Sequence, residues 1–356
     1  MEVDFLIIGQ GLAGTTLAFE LLGKGKKVMV MADSKQPCAS KVAAGLYNPI
    51  TGNRLVKTWK ADSLFDIVES YYQSLESMLD AKFVYPIGIY RPFTSIDEQN
   101  DWMAKSADSQ FVAYVAKVTS HPHDSQLFHD PYGGVHLTKA GFIDTTIFLE
   151  ASKKYLQAKG CFTEEMFHED NLSITNTSIS YKGLKASNLV LAQGVGAQPG
   201  NLFSWLPLHE LKGEILEIST SLGGNTIFNR GCFMLPAGNE RWRVGSTYNW
   251  RQPDYLPTEQ GKKEILEKLN HLYKGSVEIT NHMVGIRPST KDRRPFLGKH
   301  PAHENIHIFN GLGTKGVSLS PFFAREMADY LVGQKPLSRE VSIERYFSLY
   351  FERNVG

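Results

Sequence analysis

The chain has 356 residues, enough for two lobes, and at that size folding buries roughly 75 % of the unfolded surface without a disulfide or metal staple. Lysine and arginine number 38 against 37 acids, a net charge of +1, which excludes a global attraction to nucleic acid or anionic membrane. Cys38, Cys161 and Cys232 are scattered and form no C-x-x-C pair, so a disulfide framework is excluded and a reducing compartment fits.

Val3 to Asp33 forms the first unit. The apolar run Phe5 to Ile8 is too short for a signal peptide or membrane span, and a cytoplasmic location is expected. It suits a buried parallel strand. Gly9-Gln10-Gly11-Leu12-Ala13-Gly14 follows, then a helical stretch with Leu17, Leu21 and Leu22 on one face, ended by Gly25, and a second strand at Val28 to Met31. In this setting Gly9-x-Gly11-x-x-Gly14 is a dinucleotide fingerprint. The first glycine permits the tight turn, the second lets backbone approach a pyrophosphate, and the third allows close strand–helix packing. An acid normally closes such a unit on the ribose. Position 32 is alanine, so Asp33, or Ser34 with backbone groups, takes that role.

Ser63 to Leu79 predicts a helix, Val84 to Val118 is mixed and strand-like, and Ser120 to Asp130 is a polar loop. His121, His123 and His129 in that loop lack partners at ligand spacing, and no metal is expected. Phe142 to Lys159 predicts a helix, and Asn188 to Ala192 an apolar strand ending at Gly194. Leu211 to Ser219, Cys232 to Pro236 and Arg241 to Tyr248 predict strands of a separate sheet. Ile306 to Phe309 is a last buried strand and Ser318 to Leu331 a last helix. Between them Gly311-Leu312-Gly313-Thr314-Lys315-Gly316 repeats the glycine pattern. Only about forty residues follow it, too few for a second nucleotide domain, so it predicts a helix N-terminus aimed at another part of one cofactor. The expected fold class is α/β. A Rossmann-like dinucleotide domain of residues 1–80, 140–202 and 284–356 carries an inserted mixed or antiparallel-sheet substrate domain of residues 81–139 and 203–283.

The stretch Gly285-Ile286-Arg287-Pro288-Ser289-Thr290-Lys291-Asp292-Arg293-Arg294-Pro295-Phe296-Leu297-Gly298 resembles the G-x-R-P-x-T-x-D-x-x-P-x-(I/L)-G signature of the D-amino-acid-oxidase and glycine-oxidase family. Asn310 to Asp329 is similar to that family's flavin loop and helix. Ala39-Ser40 with Ala43-Ala44-Gly45-Leu46 is similar to its segment beside the pyrophosphate, ribityl chain and isoalloxazine. Leu191 to Ala197 resembles its L-A-x-G-x-x-(A/S) turn. The resemblance implies non-covalent FAD, since Cys161 and Cys232 lack the family's attachment context. It implies cofactor contacts from Gly9, Gly11, Leu12, Ala13, Gly14, Asp33 or Ser34, Ser40, Ala43, Ala44, Gly45, Leu46, Gly194 and the run Gly311, Leu312, Gly313, Thr314, Lys315, Gly316 and Val317.

It further implies oxidation of the C–N bond of a small amino acid or secondary amine, by hydride transfer to flavin N5. Arg287 matches the arginine that binds the substrate carboxylate. Tyr248 and Phe233 fall where the family places pocket residues. Lys315 falls in the flavin loop, where its side chain or its backbone N–H stabilises the reduced flavin. Two details resemble the flavin domain of the bifunctional enzyme that modifies the tRNA wobble uridine. Gly311 to Gly316 is similar to its G-L-G-S-R-G loop, and Gly45-Leu46-Tyr47-Asn48-Pro49 to its A-L-Y-P segment. A carboxymethylaminomethyl group on tRNA is therefore the alternative substrate, although no methyltransferase domain is expected and the neutral charge offers no tRNA-sized basic surface. A catalytically silent flavin module is the third reading. The electron acceptor is oxygen, a quinone or a partner protein.

Overall fold

A computed structural model describes residues 1–52, 56–175, 177–196, 202–251 and 253–354; Ala197, the end of the turn that begins at Leu191, lies outside them. Five strands, Phe162–Glu164, Val28–Ala32, Glu2–Ile8, Leu184–Leu191 and His303–Asn310, bond in parallel in that order. Such a sheet is covered on both faces, and the alternation of side chains shows it. Phe5, Ile7, Val28, Val30 and Val190 join one apolar cluster, while Leu6, Ile8, Met29, Met31, Leu189 and Leu191 join another. Leu184–Leu191 divides its edge, pairing antiparallel with Ile179–Tyr181 in its first half and parallel with His303–Asn310 in its second. The helices Leu12–Gly23 and Gly316–Leu331 pack together on the first face, and Lys24 Nζ meets Asp329 Oδ1 at 2.6 Å across their ends.

The second large sheet has the order Glu278–Thr290, Leu208–Ser219, Arg241–Gly245, Cys232–Pro236, Ile227–Arg230, Ile89–Pro92, Gly134–Leu137 and Val115–Thr119. Neighbours are antiparallel except Ile227–Arg230 beside Ile89–Pro92, which is parallel. One face, with Tyr90, Leu216, Phe228, Met234 and Val244, packs on Ile265 and Leu269 of the helix Glu259–Asn270. The fold is thus a Rossmann-like α/β unit joined to a mixed-sheet unit. The expected boundary between residues 283 and 284 falls inside the strand Glu278–Thr290.

Several elements differ from the sequence expectation. The helix expected over 63–79 is two, Ala61–Phe65 and Val68–Leu79. The strand-like stretch 84–118 contains the helix Ile96–Lys105. Its signal is Ser95-x-x-Glu98, with Ser95 Oγ accepting Glu98 N–H at 3.2 Å. Residues Gly141–Ile143 form a short strand, and the helix begins only at Thr145. The strand expected to reach Tyr248 ends at Gly245. Among the described residues no helix is long and apolar enough to cross a membrane, and no group of three His, Cys, Asp or Glu side chains could hold a metal ion.

The helix Thr145–Ala158 is capped by Asp144, whose Oδ1 accepts Thr146 N–H at 3.1 Å and Ile147 N–H at 3.0 Å. Asp144→Ala should cost about 1 kcal/mol in a denaturant titration. An unchanged midpoint would show that the cap contributes nothing.

Candidate active site

A cavity of about 990 Å³ is lined by both large sheets and the turns between them, at the upper end of the range of roughly 300–1,000 Å³ usual for small-molecule sites. At one side stands the first glycine turn. Gly9 has φ +109, and a Cβ there would lie 2.5 Å from Ala192 O; a Cβ on Gly14 would lie 1.9 Å from Gly9 O. The strand, the turn and the helix therefore touch backbone to backbone. The helix Leu12–Gly23 has no side-chain cap and no acid in its first turn, and Gly11, Leu12 and Ala13 line the cavity. An uncapped helix start carries about half a positive charge and free N–H groups. The helix Gly316–Leu331 presents a second such start, again with no side-chain cap and no acid, with Gly316, Val317 and Ser318 on the cavity. Two helix N-termini with no acid in the first turn, both on one cavity, fit a dinucleotide with several anionic oxygens.

The remaining expected contacts gather here, with two exceptions. Asp33, Ser34, Ser40, Ala43, Ala44, Gly45, Leu46, Gly194, Leu312, Gly313, Thr314 and Lys315 all line the cavity. Gly14 and Gly311 do not. Gly14 serves the strand–helix approach, and Gly311 (φ +75) turns the chain where a Cβ would meet Thr290 Cγ2 at 2.6 Å. Ser40 Oγ accepts Leu12 N–H at 3.1 Å, which ties the second segment to the first helix start. Asp33 accepts from Lys35 N–H at 2.9 Å and Gln36 Nε2 at 3.1 Å, and these bonds hold its carboxyl below the usual range. Ser34 N–H bonds Glu164 Oε1, and its hydroxyl accepts from Lys153 Nζ, each at 2.6 Å.

Arg287 stands on the edge strand of the second sheet, paired with Leu211. Its guanidinium lies across the neighbouring strand over Gly213, where a Cβ would come within 2.1 Å of Nη2. Nη2 donates to Ser246 Oγ at 2.9 Å and Nη1 to Thr247 O at 3.3 Å, and the Tyr248 ring lies 5.2 Å from Cζ. No acid pairs with Arg287 among the described residues, and burial lowers its pKa. Tyr248 is 59 % exposed and lies in the loop beyond the strand, yet it lines the cavity with Phe233. Gly213 was not legible as a site residue, because a glycine inside a strand signals a close approach without saying to what.

Lys315 is part-buried, and its Nζ donates to Thr51 Oγ1 and Thr58 Oγ1, both at 3.1 Å. It is not a solvent-exposed lysine. Burial, with Arg293 and Arg294 nearby, pushes its pKa down to about 8. Sequence reading also missed Asn48, Thr51, Gln193 and the segment Glu165–Asp170, all on the cavity. Their proximity arises from chain crossings that no local pattern encodes.

The profile of the FAD dependent oxidoreductase (DAO) family matches residues 4–330. The glycine oxidase of Bacillus licheniformis is 24% identical over 359 residues, covering 93% of each chain. Longer bifunctional relatives also match, and this chain spans little more than half of them. It covers 54% of the bifunctional protein ThiO/ThiG of Synechocystis sp., at 25% identity over 97% of this chain. It covers 59% of the tRNA 5-methylaminomethyl-2-thiouridine biosynthesis bifunctional protein MnmC of Aeromonas hydrophila, at 21% identity over 99% of this chain. Among solved structures, iminodiacetate oxidase (IdaA) from Chelativorans sp. BNC1 superposes with a TM-score of 0.79 at 20% identity, covering 96% of this chain and 98% of that one. That likeness carries the fold.

Two outcomes follow from this geometry. A Cβ on Gly11 would stand 3.2 Å from Ser40 Oγ, so Gly11→Val should push Ser40 off the helix start and lose the dinucleotide on gel filtration; full retention would move the nucleotide elsewhere. For Lys315 the folded pKa lies below the free-lysine value of 10.5. Below about pH 8 both states hold the proton and the burial cost is complete. Above it the folded chain releases its proton first, so stability rises with pH up to about the free value. The cofactor-free protein should therefore gain stability relative to Lys315→Met as the pH rises from 8 to 10, measured by urea unfolding. A flat difference would contradict the buried ammonium.

Proposed function

The chain belongs to the FAD dependent oxidoreductase (DAO) family, and on that premise we propose that it oxidises the C–N bond of a small amino acid or secondary amine carrying an α-carboxylate. The observation that carries this reading is Arg287, a guanidinium on the cavity with a hydroxyl and a carbonyl for partners and no acid. Its planar fork suits a carboxylate bidentately.

When bound, FAD supplies a two-electron acceptor for the hydride on the carbon that bears the amine. The chain's own part is placement. Residues 1–80, 140–202 and 284–356 are the proposed cofactor half, with Gly9 to Ala13 and Ser40 at the pyrophosphate. Ala43 to Leu46 and the loop Gly313 to Val317 take the redox end. Residues 81–139 and 203–283 form the proposed substrate half. Arg287 holds the carboxylate, the Tyr248 ring limits how the guanidinium turns, and Phe233 supplies an apolar surface that excludes water. Lys315 would add a positive charge beside the second helix start and favour an anionic form of the group held there. Cys232 lines the cavity, but burial pushes its thiol up to about 12. It stays protonated and a poor nucleophile, which supports non-covalent binding.

A macromolecular amine, the carboxymethylaminomethyl group of a tRNA wobble uridine, is the second reading. Tyr248 and Trp250 favour it, exposed at 59 % and 58 % where a base could stack; the net charge of +1 does not. The proposed acceptor is oxygen, a quinone or a partner protein.

Arg287→Ala should keep its FAD and raise KM for glycine or sarcosine at least about tenfold, the low end for a lost charge-assisted bond. An unchanged KM in a folded, FAD-loaded variant would remove Arg287 from the site.

A further inference from the structure

One face of the second sheet forms part of the cavity, and strand register identifies the side chains on it. Tyr90 pairs with Phe228, and both enter the apolar cluster behind the sheet, their rings 6.1 Å apart. Alternation along each strand then turns Arg91 and Asn229 the other way, and both line the cavity. From Asn229 the cavity-facing row continues through its partner Phe233, then Gly245 and Ile215, to the strand of Arg287. Arg91 and Arg287 thus lie on one face, five strand spacings apart. At ~4.8 Å per strand that is roughly 24 Å across a flat sheet and less on a twisted one, and Arg287 stands four residues along its strand from Met283, the partner of Ile215, about 13 Å at ~3.3 Å per residue.

Arg91 is 8% exposed, and its Nε is buried with no hydrogen-bond partner. The nearby acid is already taken. Glu98 Oε1 accepts from Arg230 Nη1 at 2.7 Å, and Oε2 accepts from Thr94 N–H at 2.9 Å and Thr94 Oγ1 at 3.0 Å. Among the described residues no salt bridge reaches Arg91. Burial and the Arg230 charge, opposed in part by Glu98, lower its pKa to about 10, so it remains a cation at neutral pH. A buried guanidinium that no acid bonds directly is costly, and Arg91 lines the cavity.

We propose that Arg91 is a second anion-binding site of this cavity. The substrate is then an N-substituted glycine, its glycine end held at Arg287 and its substituent ending in a carboxylate or phosphate held at Arg91. This rests on the reading of Arg287 given above. Glycine and sarcosine are too short to touch both arginines, so they would be oxidised without the second contact. Asn229, which follows the partner of Tyr90 on the neighbouring strand, also lines the cavity and offers an amide on the same face.

The test is a series of N-alkylglycines of increasing spacer length, each ending in a methyl, a carboxylate or a phosphate. For each length the ratio of kcat/KM, charged over neutral, is measured in the wild type, Arg91→Met and Arg91→Lys. At one spacer length the wild-type ratio should reach about tenfold or more, with the better of carboxylate and phosphate naming the anion. It should fall to near one in Arg91→Met and partly recover in Arg91→Lys. A wild-type ratio near one at every length overturns the proposal without need of a variant, as does a ratio that survives in Arg91→Met. Should no member be oxidised, the Arg287 reading fails on its own. Calorimetric Kd ratios for the same compounds then decide the Arg91 site by the same criteria.

Discussion

The guanidinium of Arg287 fills the space that a side chain at position 213 would take. Gly213 is paired with Gly285 in the ladder that joins Leu208–Ser219 to Glu278–Thr290, so the two longest strands meet at backbone on the cavity side. That gap lets Arg287 lie along the sheet, within reach of Ser246 and Thr247. The residues on either side of Gly213 face the other way and hold the loop that completes the site. Lys212, fully buried, donates to Asp254 Oδ1 at 2.5 Å and to Leu256 O at 2.6 Å. Glu214 accepts from Thr258 N–H at 2.9 Å and Thr258 Oγ1 at 2.8 Å. Buried charges are tolerated when paired and bonded in this way. Three consecutive residues therefore make room for the Arg287 guanidinium on one face and, from the other, hold the loop that brings Tyr248 and Tyr255 to the cavity.

The nucleotide side works by the same subtraction. Close backbone contacts at Gly9 and Gly14 bring the helix Leu12–Gly23 hard against the first sheet, and its acid-free start faces the cavity together with that of Gly316–Leu331. Each of these helix starts brings a partial positive charge to the cavity without any large excess of basic residues in the whole chain. Arg287, Arg91 and Lys315 add localised charges to those dipoles. The chain carries a net charge of only +1, and the cavity lining mixes these cations with Asp33, Glu165, Glu169, Asp170 and Glu210.

How much of this was legible in the sequence depends on the range of the interactions. The first βαβ unit, the second helix start and Arg287 are written in contiguous residues, where turn glycines and a short motif report local backbone needs. The helix Ile96–Lys105 was also written locally, in Ser95 and Glu98, but its composition is mostly polar and it buries only Gln99 and Trp102, so no apolar run announced it. Arg91 is different. Its strand is recognisable, yet whether it faces solvent, core or cavity depends on pairing with Ile227–Arg230, more than a hundred residues away. Gly213 likewise gains its meaning only from a partner strand, and Asp33 proves engaged with its own turn through Lys35 and Gln36. Positions set by register or by long-range crossing are invisible to local pattern.

The central claim is that Arg287 selects amines carrying a carboxylate for oxidation in this cavity. Its most direct test is anaerobic addition of glycine, sarcosine, proline and D-amino acids, with methylamine and dimethylamine as carboxylate-free controls, while the visible flavin absorbance is followed. The account predicts that at least one carboxylated amine bleaches the flavin and that the controls do not. Bleaching by the controls as fast as by sarcosine, or by no amine at all, would contradict it.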